Sequence, residues 1–255
     1  DMRGYGGTDA PADPGEYTMK TLCADMAGLL DALGIDHAAF VGHDWGGAVI
    51  WQMGLRYPER VTALVGLNTP YGPPSNARPT ESLRDFHGQT DRTFYMRYFL
   101  APGVAEAELE ADVATTFKKI FLPYTRAADF TTFMTVGGDG SGVVARITNT
   151  DTFLTDEELA EYVKEYSRTG FRGGLNWYRA ADRNADEAGA PKGPQLNIRS
   201  MMVTAGKDTI LKPEMAAAMP MLIPGIRMEH IEDCAHWTQQ ERPAEVNALL
   251  LDFLG

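Results

Sequence analysis

Cysteine is scarce in this sequence. Only Cys23 and Cys234 occur in 255 residues, far apart, with no Cys-x-x-Cys spacing and no neighbouring His pair. That argues against a disulfide framework and against a Cys/His zinc site, and leaves two buried or half-buried free thiols in a reducing compartment. Positive charge is short as well: 23 Lys and Arg stand against 35 Asp and Glu, a net charge of −12. Without a long basic run, nucleic acid and anionic membrane surfaces are not the expected partners. No apolar run reaches the length of a membrane span. Phosphate loops, dinucleotide fingerprints and metal-ligand clusters are missing too, so no cofactor and no metal are expected.

The composition, 44% hydrophobic and 23% charged, is that of a globular chain, long enough for one large α/β domain or a core with an inserted subdomain. Residues 1–15 are rich in Gly, Pro and Asp and form a loop. The chain opens on Asp1 inside what reads as a strand-to-loop junction, so a longer natural N-terminus is expected. A helix is predicted from about Thr18, with Leu22, Met26, Leu29, Leu30 and Leu33 at helical spacing and Gly34 as its C-cap. HAAFVG (37–42) is a short apolar run of the kind found in buried parallel strands. GHDWGG follows, then AVIWQMGLRY as a helix that stops at Pro58, then VTALVGL (61–67) as the next strand. Together they make one βαβ unit of a parallel sheet.

From Asn68 the texture changes to a Pro-rich exit, NTPYGPPSNARPT. Up to about Ala190 the pattern is mostly helical, as in GVAEAELEADVATTFKKIF and TDEELAEYVKEY, where Thr155 and Glu158 have capping-box spacing. VGGDGSGV (136–143) is expected to be an exposed, mobile loop. Core elements resume near Ile198: SMMVTAG (200–206) as a buried strand, LKPEMAAAM as a helix, IRMEHIE (226–232) as an alternating strand, and AEVNALLLDFL as an amphipathic closing helix. The expected organisation is a core of residues 1–70 and 191–255, carrying residues 71–190 as a helical lid.

Chemistry enters at Gly42-His43-Asp44-Trp45-Gly46-Gly47. Gly-x-nucleophile-x-Gly between a strand and a helix is the nucleophile-elbow pattern, in which the apex side chain stands clear of the sheet. The alternative is a Gly-rich turn whose Asp44 merely caps the helix. In hydrolases of this kind the acid follows the nucleophile and the His comes last. SMMVTAG runs into Lys207-Asp208, and the strand ending near Glu232 runs into His236, one of five histidines. Asp44, Asp208 and His236 thus sit at the carboxyl ends of sheet strands, where such sheets build their sites. A carboxylate at the apex suits displacement at a saturated carbon, giving an ester on the enzyme. Water activated by His236, itself oriented by Asp208, can then hydrolyse that ester at the Asp44 carbonyl. The backbone N–H of Trp45 would face the oxyanion. Epoxides and carbon–halogen bonds are the substrates this implies. An epoxide also needs an acid, for which converging phenols are suited, and FYMRYF (94–99) and LNWYRA (175–180) supply candidates, although aromatics at helical spacing are usually core.

DMRGYG (1–6), GHDWGG (42–47), YPERV (57–61), LNTP (67–70), PGVAEAELE (102–110), GFRGGLNWYR (170–179), VTAGKD (203–208) and IEDCAHWTQ (231–239) resemble the epoxide-hydrolase branch of the α/β hydrolases, its soluble members above all. GHDWGG is shared with haloalkane dehalogenases, so the lid segments are the more specific. The resemblance implies an α/β-hydrolase fold, a mostly parallel sheet flanked by helices with an inserted helical lid. It implies Asp44 as nucleophile, Asp208 as acid, His236 as base and Trp45 as an oxyanion donor. The first lid tyrosine is similar to Tyr95, with Tyr98 as the neighbouring alternative, and the second to Tyr178. His43 and Trp237 flank the site as packing. The family's upstream His-Gly-x-Pro loop and several strands do not appear here, and a longer parent enzyme is expected. A small apolar epoxide and water are the partners implied, a homodimer is left open, and a cytoplasmic location is expected. A dehalogenase with the same triad is the alternative enzyme, and a non-catalytic interaction protein on the same fold the alternative outside enzymes.

Overall fold

Short apolar runs separated by tight turns become a parallel sheet once each run finds a neighbour. In the computed structural model, which describes residues 1–72, 93–127, 129, 132, 135–136, 141–187 and 196–255, the strands are β1 (Ala38–His43), β2 (Val61–Leu67), β3 (Thr93–Phe94), β4 (Thr135–Val136), β5 (Ser200–Ala205) and β6 (Arg227–Ile231). Four of them form a parallel sheet in the order β1-β2-β5-β6. His43 pairs with Leu67, Leu67 with Val203, and Ala205 with Ile231. Because of this register, the residues after each strand emerge along one edge of the sheet.

This sheet belongs to a compact unit made of Met19–Pro74 and Pro191–Gly255. The inner strands β2 and β5 are almost wholly buried, whereas β1 and β6 alternate. Ala63, Val65, Leu67, Met201, Val203, Ala205 and Ile231 pack with Val246 and Phe253 of the closing helix, Pro243–Leu254. Each such large side chain contributes about 1.5–3 kcal/mol by leaving water. Helix α1 (Met19–Leu33) buries Leu22, Cys23, Ala27 and Leu30, and leaves Leu29 and Leu33 exposed on the flank of that stripe. Gly34 ends it at φ +66, and the Ile35 N–H reaches back to the Leu30 carbonyl at 2.9 Å, a glycine C-cap as expected. The segment LKPEMAAAM is not one helix. It folds as a 3-10 turn (Pro213–Ala216) and a short helix (Met219–Leu222), because Pro220 has no N–H to return to the Ala216 carbonyl. Cys23 and Cys234 are free and buried, and burial, the largest influence, pushes both thiols up to about 12.

The other compact unit contains Asp1–Thr18 together with the described residues between Ser75 and Ala190. Asp1–Thr18 belongs here through close backbone approach: a Cβ on Gly173 would lie 2.1 Å from the Gly4 carbonyl oxygen. Trp177 Nε1 also donates to the Arg3 carbonyl at 3.0 Å. Among its described residues the regular elements are helices, apart from the two-residue antiparallel pair of β3 and β4. The run GVAEAELEADVATTFKKIF forms two helices, Val104–Leu109 and Val113–Ile120, since Asp112 turns extended (φ −151) and caps the second through Thr115 N–H. Thr155 and Glu158 make the capping box their spacing predicts, at 3.2 and 2.8 Å. Of the glycine-rich loop 136–143, residues 137–140 lie outside the described residues, as does the Pro-rich exit beyond Gly72. The described ends of that loop, Val136 and Val143, are buried rather than exposed. Val136 pairs in β4, and the Glu108 carboxylate gathers the N–H groups of Val143, Val144 and Ala145 at 2.9–3.0 Å. No helix among the described residues is long and apolar enough to cross a membrane.

Candidate active site

Between β1 and helix α2 (Trp45–Arg56) the chain turns at Asp44, whose φ of +51 is one of two positive values at non-glycine residues among those described. Strain of this kind costs about 1–3 kcal/mol and persists only where the surroundings enforce it. Here they do. A Cβ on Gly42 would sit 2.2 Å from the Gly46 carbonyl oxygen, and one on Gly47 would sit 2.6 Å from Thr69 Cβ. Gly46 itself has open space, so two of the three glycines are sterically required. The Asp44 side chain makes no capping bond to the helix and is 35% exposed, which removes the simple N-cap alternative. Its main-chain carbonyl instead accepts from Ala48 N–H at 3.2 Å and Thr69 Oγ1 at 2.7 Å. Trp45, at the first position of α2, places its N–H at the positive end of the helix dipole.

His236 is buried and stands between two carboxylates. Its Nδ1–H donates to Asp208 Oδ2 at 3.0 Å, while Nε2 lies 4.0 Å from Asp44 Oδ2. Asp208, 3% exposed, is fully coordinated: Oδ1 accepts from the N–H groups of Ile210 (2.8 Å) and Leu211 (3.0 Å), and Oδ2 from His236 and Asn68 Nδ2 (2.7 Å). For Asp208, burial is the largest influence and acts upward. The hydrogen bond and charge of His236, with Asn68 and Leu211, outweigh it and hold the carboxyl down at about 2. For His236 burial acts downward and is again the largest influence. The Asp208 bond and charge, then Asp44 and Glu241, overcome it and raise the imidazole above its ordinary value. His43 goes the other way, to about 4, through burial first and then the His236 charge. Its Nε2–H donates to the His236 carbonyl at 2.6 Å, and Trp237 packs its ring against both imidazoles. Both rings lie beside the His236 imidazole.

In the unit containing the tyrosines, Tyr95 is buried on a short helix, Tyr95–Tyr98, and Tyr178 is half-buried on the helix Arg172–Arg179. Their ring centroids are 5.9 Å apart at 76°, and Phe99 packs against both at 5.4 and 5.0 Å. Tyr98 is turned elsewhere. Its hydroxyl donates to Glu108 Oε2 at 3.1 Å, and burial followed by the Glu108 charge pushes it up to about 12. Arg179, next to Tyr178, grips the tyrosine segment: its Nε donates to the Phe99 carbonyl at 2.9 Å and its Nη1 pairs with Glu106 at 2.7 Å.

Sequence reading missed Asn68, Thr69 and Thr238. Asn68 looks like a turn residue after a strand, yet its amide also accepts from Thr238 Oγ1 at 2.6 Å. Thr69 holds the elbow, and its own carbonyl accepts from Trp51 Nε1 at 3.0 Å. The motif LNTP was the available signal, but the partners lie far away in sequence.

A parallel sheet bearing an Asp-His-Asp arrangement at one edge defines a class. The chain matches the alpha/beta hydrolase fold family over residues 1–243 and belongs to it. Its relatives narrow the class. It is 43% identical over 260 residues to the bifunctional epoxide hydrolase 2 of Mus musculus, covering 100% of this chain and 46% of that protein; the chain thus spans about half the length of the curated relatives of this type. It is 37% identical over 259 residues to epoxide hydrolase A of Mycobacterium tuberculosis, covering 100% of this chain and 80% of that one. The crystal structure of epoxide hydrolase A from Mycobacterium thermoresistibile superposes with a TM-score of 0.91 at 41% identity, covering 100% of this chain and 80% of that chain. Within the α/β-hydrolase fold, the chain belongs to the epoxide-hydrolase family.

Proposed function

We propose that this protein hydrolyses epoxides to vicinal diols through a covalent ester on Asp44. The observation that carries the reading is the line of Asp44, His236 and Asp208, with a carboxylate at the strained apex and a raised, buried imidazole beside it. In the first step an Asp44 oxygen attacks a ring carbon and the carbon–oxygen bond of the epoxide breaks. Tyr95 and Tyr178 supply the proton that the leaving alkoxide requires. The paired rings support that choice over Tyr98, whose hydroxyl is committed to Glu108. In the second step neutral His236 takes a proton from water, and the hydroxide adds to the ester carbonyl of Asp44. The Trp45 N–H holds the resulting oxyanion. Collapse expels the diol as it regains a proton from the imidazolium; the Asp44 carboxyl then loses the proton brought by the hydroxide, which restores the carboxylate, and the tyrosinate left by ring opening takes a proton back through solvent. Asp208 keeps the imidazole in the required tautomer and stabilises its charged form. The substrate proposed is a small apolar epoxide, and the location proposed is the cytoplasm, where two buried thiols stay reduced.

A single turnover with styrene oxide in oxygen-18 water tests this. The peptide holding Asp44 should gain the label while the first-formed diol carries ordinary oxygen. Label passing directly into the diol, with Asp44 unlabelled, would mean that water opens the ring and that the ester mechanism is wrong. If no diol forms and a chloroalkane releases halide instead, the dehalogenase reading replaces this one.

A further inference from the structure

Asn68 occupies an unusual position for a residue outside the triad. It is 1% exposed, and its φ of +63 is the second positive value at a non-glycine residue among those described, the first being Asp44. Both lie immediately after paired strands, β1 and β2, whose ends are in register. The Asn68 main-chain N–H donates to the Val203 carbonyl at 2.9 Å, tying it to β5. Because an ionised Asp208 can only accept, the side-chain nitrogen of Asn68 must face it and the side-chain oxygen must face Thr238. The chain of bonds therefore has one direction: Thr238 Oγ1 to Asn68 Oδ1 at 2.6 Å, then Asn68 Nδ2 to Asp208 Oδ2 at 2.7 Å. That last oxygen is the one that receives His236 Nδ1–H.

We propose that Asn68 is a positioning residue, clamped by Thr238, which fixes the Asp208 carboxylate and shares its charge so that His236 is released as a base near neutral pH. This rests on the proposed triad of Asp44, His236 and Asp208. A carboxylate has about four acceptor sites, and Asp208 uses them on Ile210, Leu211, His236 and Asn68. Removing the Asn68 donor leaves more of the charge on Oδ2 for the imidazolium to neutralise, and lets the carboxylate rotate. The groups facing His236 are Asp208 at Nδ1, Asp44 at Nε2, Glu241, whose carboxylate accepts from Ala235 N–H at 2.6 Å, and the His43 ring at 5.0 Å. None of the others bonds to the Asp208 oxygen that Asn68 holds.

The test is the titration of His236 followed by proton NMR in the wild type, Asn68→Gly and Thr238→Val. Glycine keeps the left-handed backbone conformation open. Valine keeps the shape of Thr238 and removes only its hydroxyl, so it carries the test if the glycine variant does not fold. The His236 midpoint should rise by about one pH unit in Asn68→Gly, and by less in Thr238→Val. In single turnovers the alkylation of Asp44 should stay within about twofold while ester hydrolysis at neutral pH falls about tenfold. An unmoved or lowered midpoint overturns the proposal, and so does an equal fall in both steps. Because the NMR titration needs no substrate, it stands even if the wild type opens no epoxide, an outcome that would sink the proposed function alone.

Discussion

Arg179→Met should cost the protein far more than one surface cation would. The Arg179 guanidinium is 5% exposed and its partner Glu106 13% exposed. Arg179 bonds the carbonyls of Phe99 and Ala101 at 2.9 and 3.3 Å, Asn176 Oδ1 at 3.1 Å, and both oxygens of Glu106 at 2.7 and 3.0 Å. Removing one partner of such a pair strands the other charge, at a cost of about 3–5 kcal/mol. Glu106 keeps backbone donors, among them Gly103 N–H at 2.8 Å, so about 4 kcal/mol is expected for Arg179→Met and about 3 for Glu106→Leu. Replacing both removes the stranded charge and leaves only the lost cap on Gly103 and two poorly satisfied carbonyls, about 3 kcal/mol together.

Urea denaturation of the wild type, both single variants and the double variant closes this cycle. The double variant should be about as stable as Glu106→Leu alone, a coupling of about 4 kcal/mol. Costs that simply add, with coupling below about 0.5 kcal/mol, would refute the claim that a desolvated pair holds this segment. The kinetic corollary comes from Phe99, whose carbonyl Arg179 holds and whose ring packs on both Tyr95 and Tyr178. Where Arg179→Met still folds, ring opening should slow more than ester hydrolysis.

Tyr95→Phe and Tyr178→Phe should each slow ring opening in single-turnover assays by about 10²-fold or more, whereas Tyr98→Phe should change it little and instead loosen the Glu108 nest; equal losses for Tyr95 and Tyr98 would undo the assignment of the pair. The rate of ester hydrolysis should rise with pH, with a midpoint above 6.5, because His236 must be neutral to act and the Asp208 bond and charge, which persist when Asp44 is esterified, raise it; a midpoint at or below 6.5 would mean that burial outweighs them. The same shifts set a stability window. Asp208, depressed from 3.8 to about 2, contributes stability that is present above 3.8 and lost as pH falls toward 2. His236, raised, contributes stability that is present below 6.5 and lost as pH rises through its folded value. Comparing thermal midpoints of the wild type and His236→Gln across pH should show the alkaline decline shrink in the variant.

Much of the site was legible because parallel strands buried on both faces are written as short unbroken apolar runs. VTALVGL and SMMVTAG could be placed without any partner information, the second leading into Asp208, whereas Asp44 follows the alternating β1 and was found by its glycine frame, and His236 follows the alternating β6. The α/β-hydrolase fold was legible in those segments, whereas the family was legible above all in PGVAEAELE (102–110) and GFRGGLNWYR (170–179). Glycine spacing announced the elbow, although only the backbone showed that Gly42 and Gly47 are the crowded positions and Gly46 is not. What periodicity could not resolve were choices within one helix and breaks within one run. Tyr95 and Tyr98 stand three residues apart, and the ring contact of Tyr95 with Tyr178 is what supports the proposed pair. Asp112 splits a continuous helical pattern because its side chain offers the backbone a cap. Pro220, the residue after LKPEMAAAM, does the same by lacking a donor.

Asn68 shows why the remainder was hidden. An Asn after a strand is ordinarily a turn residue, and the LNTP motif around it does not say which partners it meets. Its function in the fold depends on Asp208 and Thr238, 140 and 170 residues away, which approach only because β2 and β5 are neighbours in the sheet. Polar positioning residues carry no periodicity, since their partners are set by strand order and register. The two strained non-glycine residues, Asp44 and Asn68, therefore divide the problem. One was readable from its glycine frame, and the other became readable only after the sheet placed it beside the carboxylate it holds.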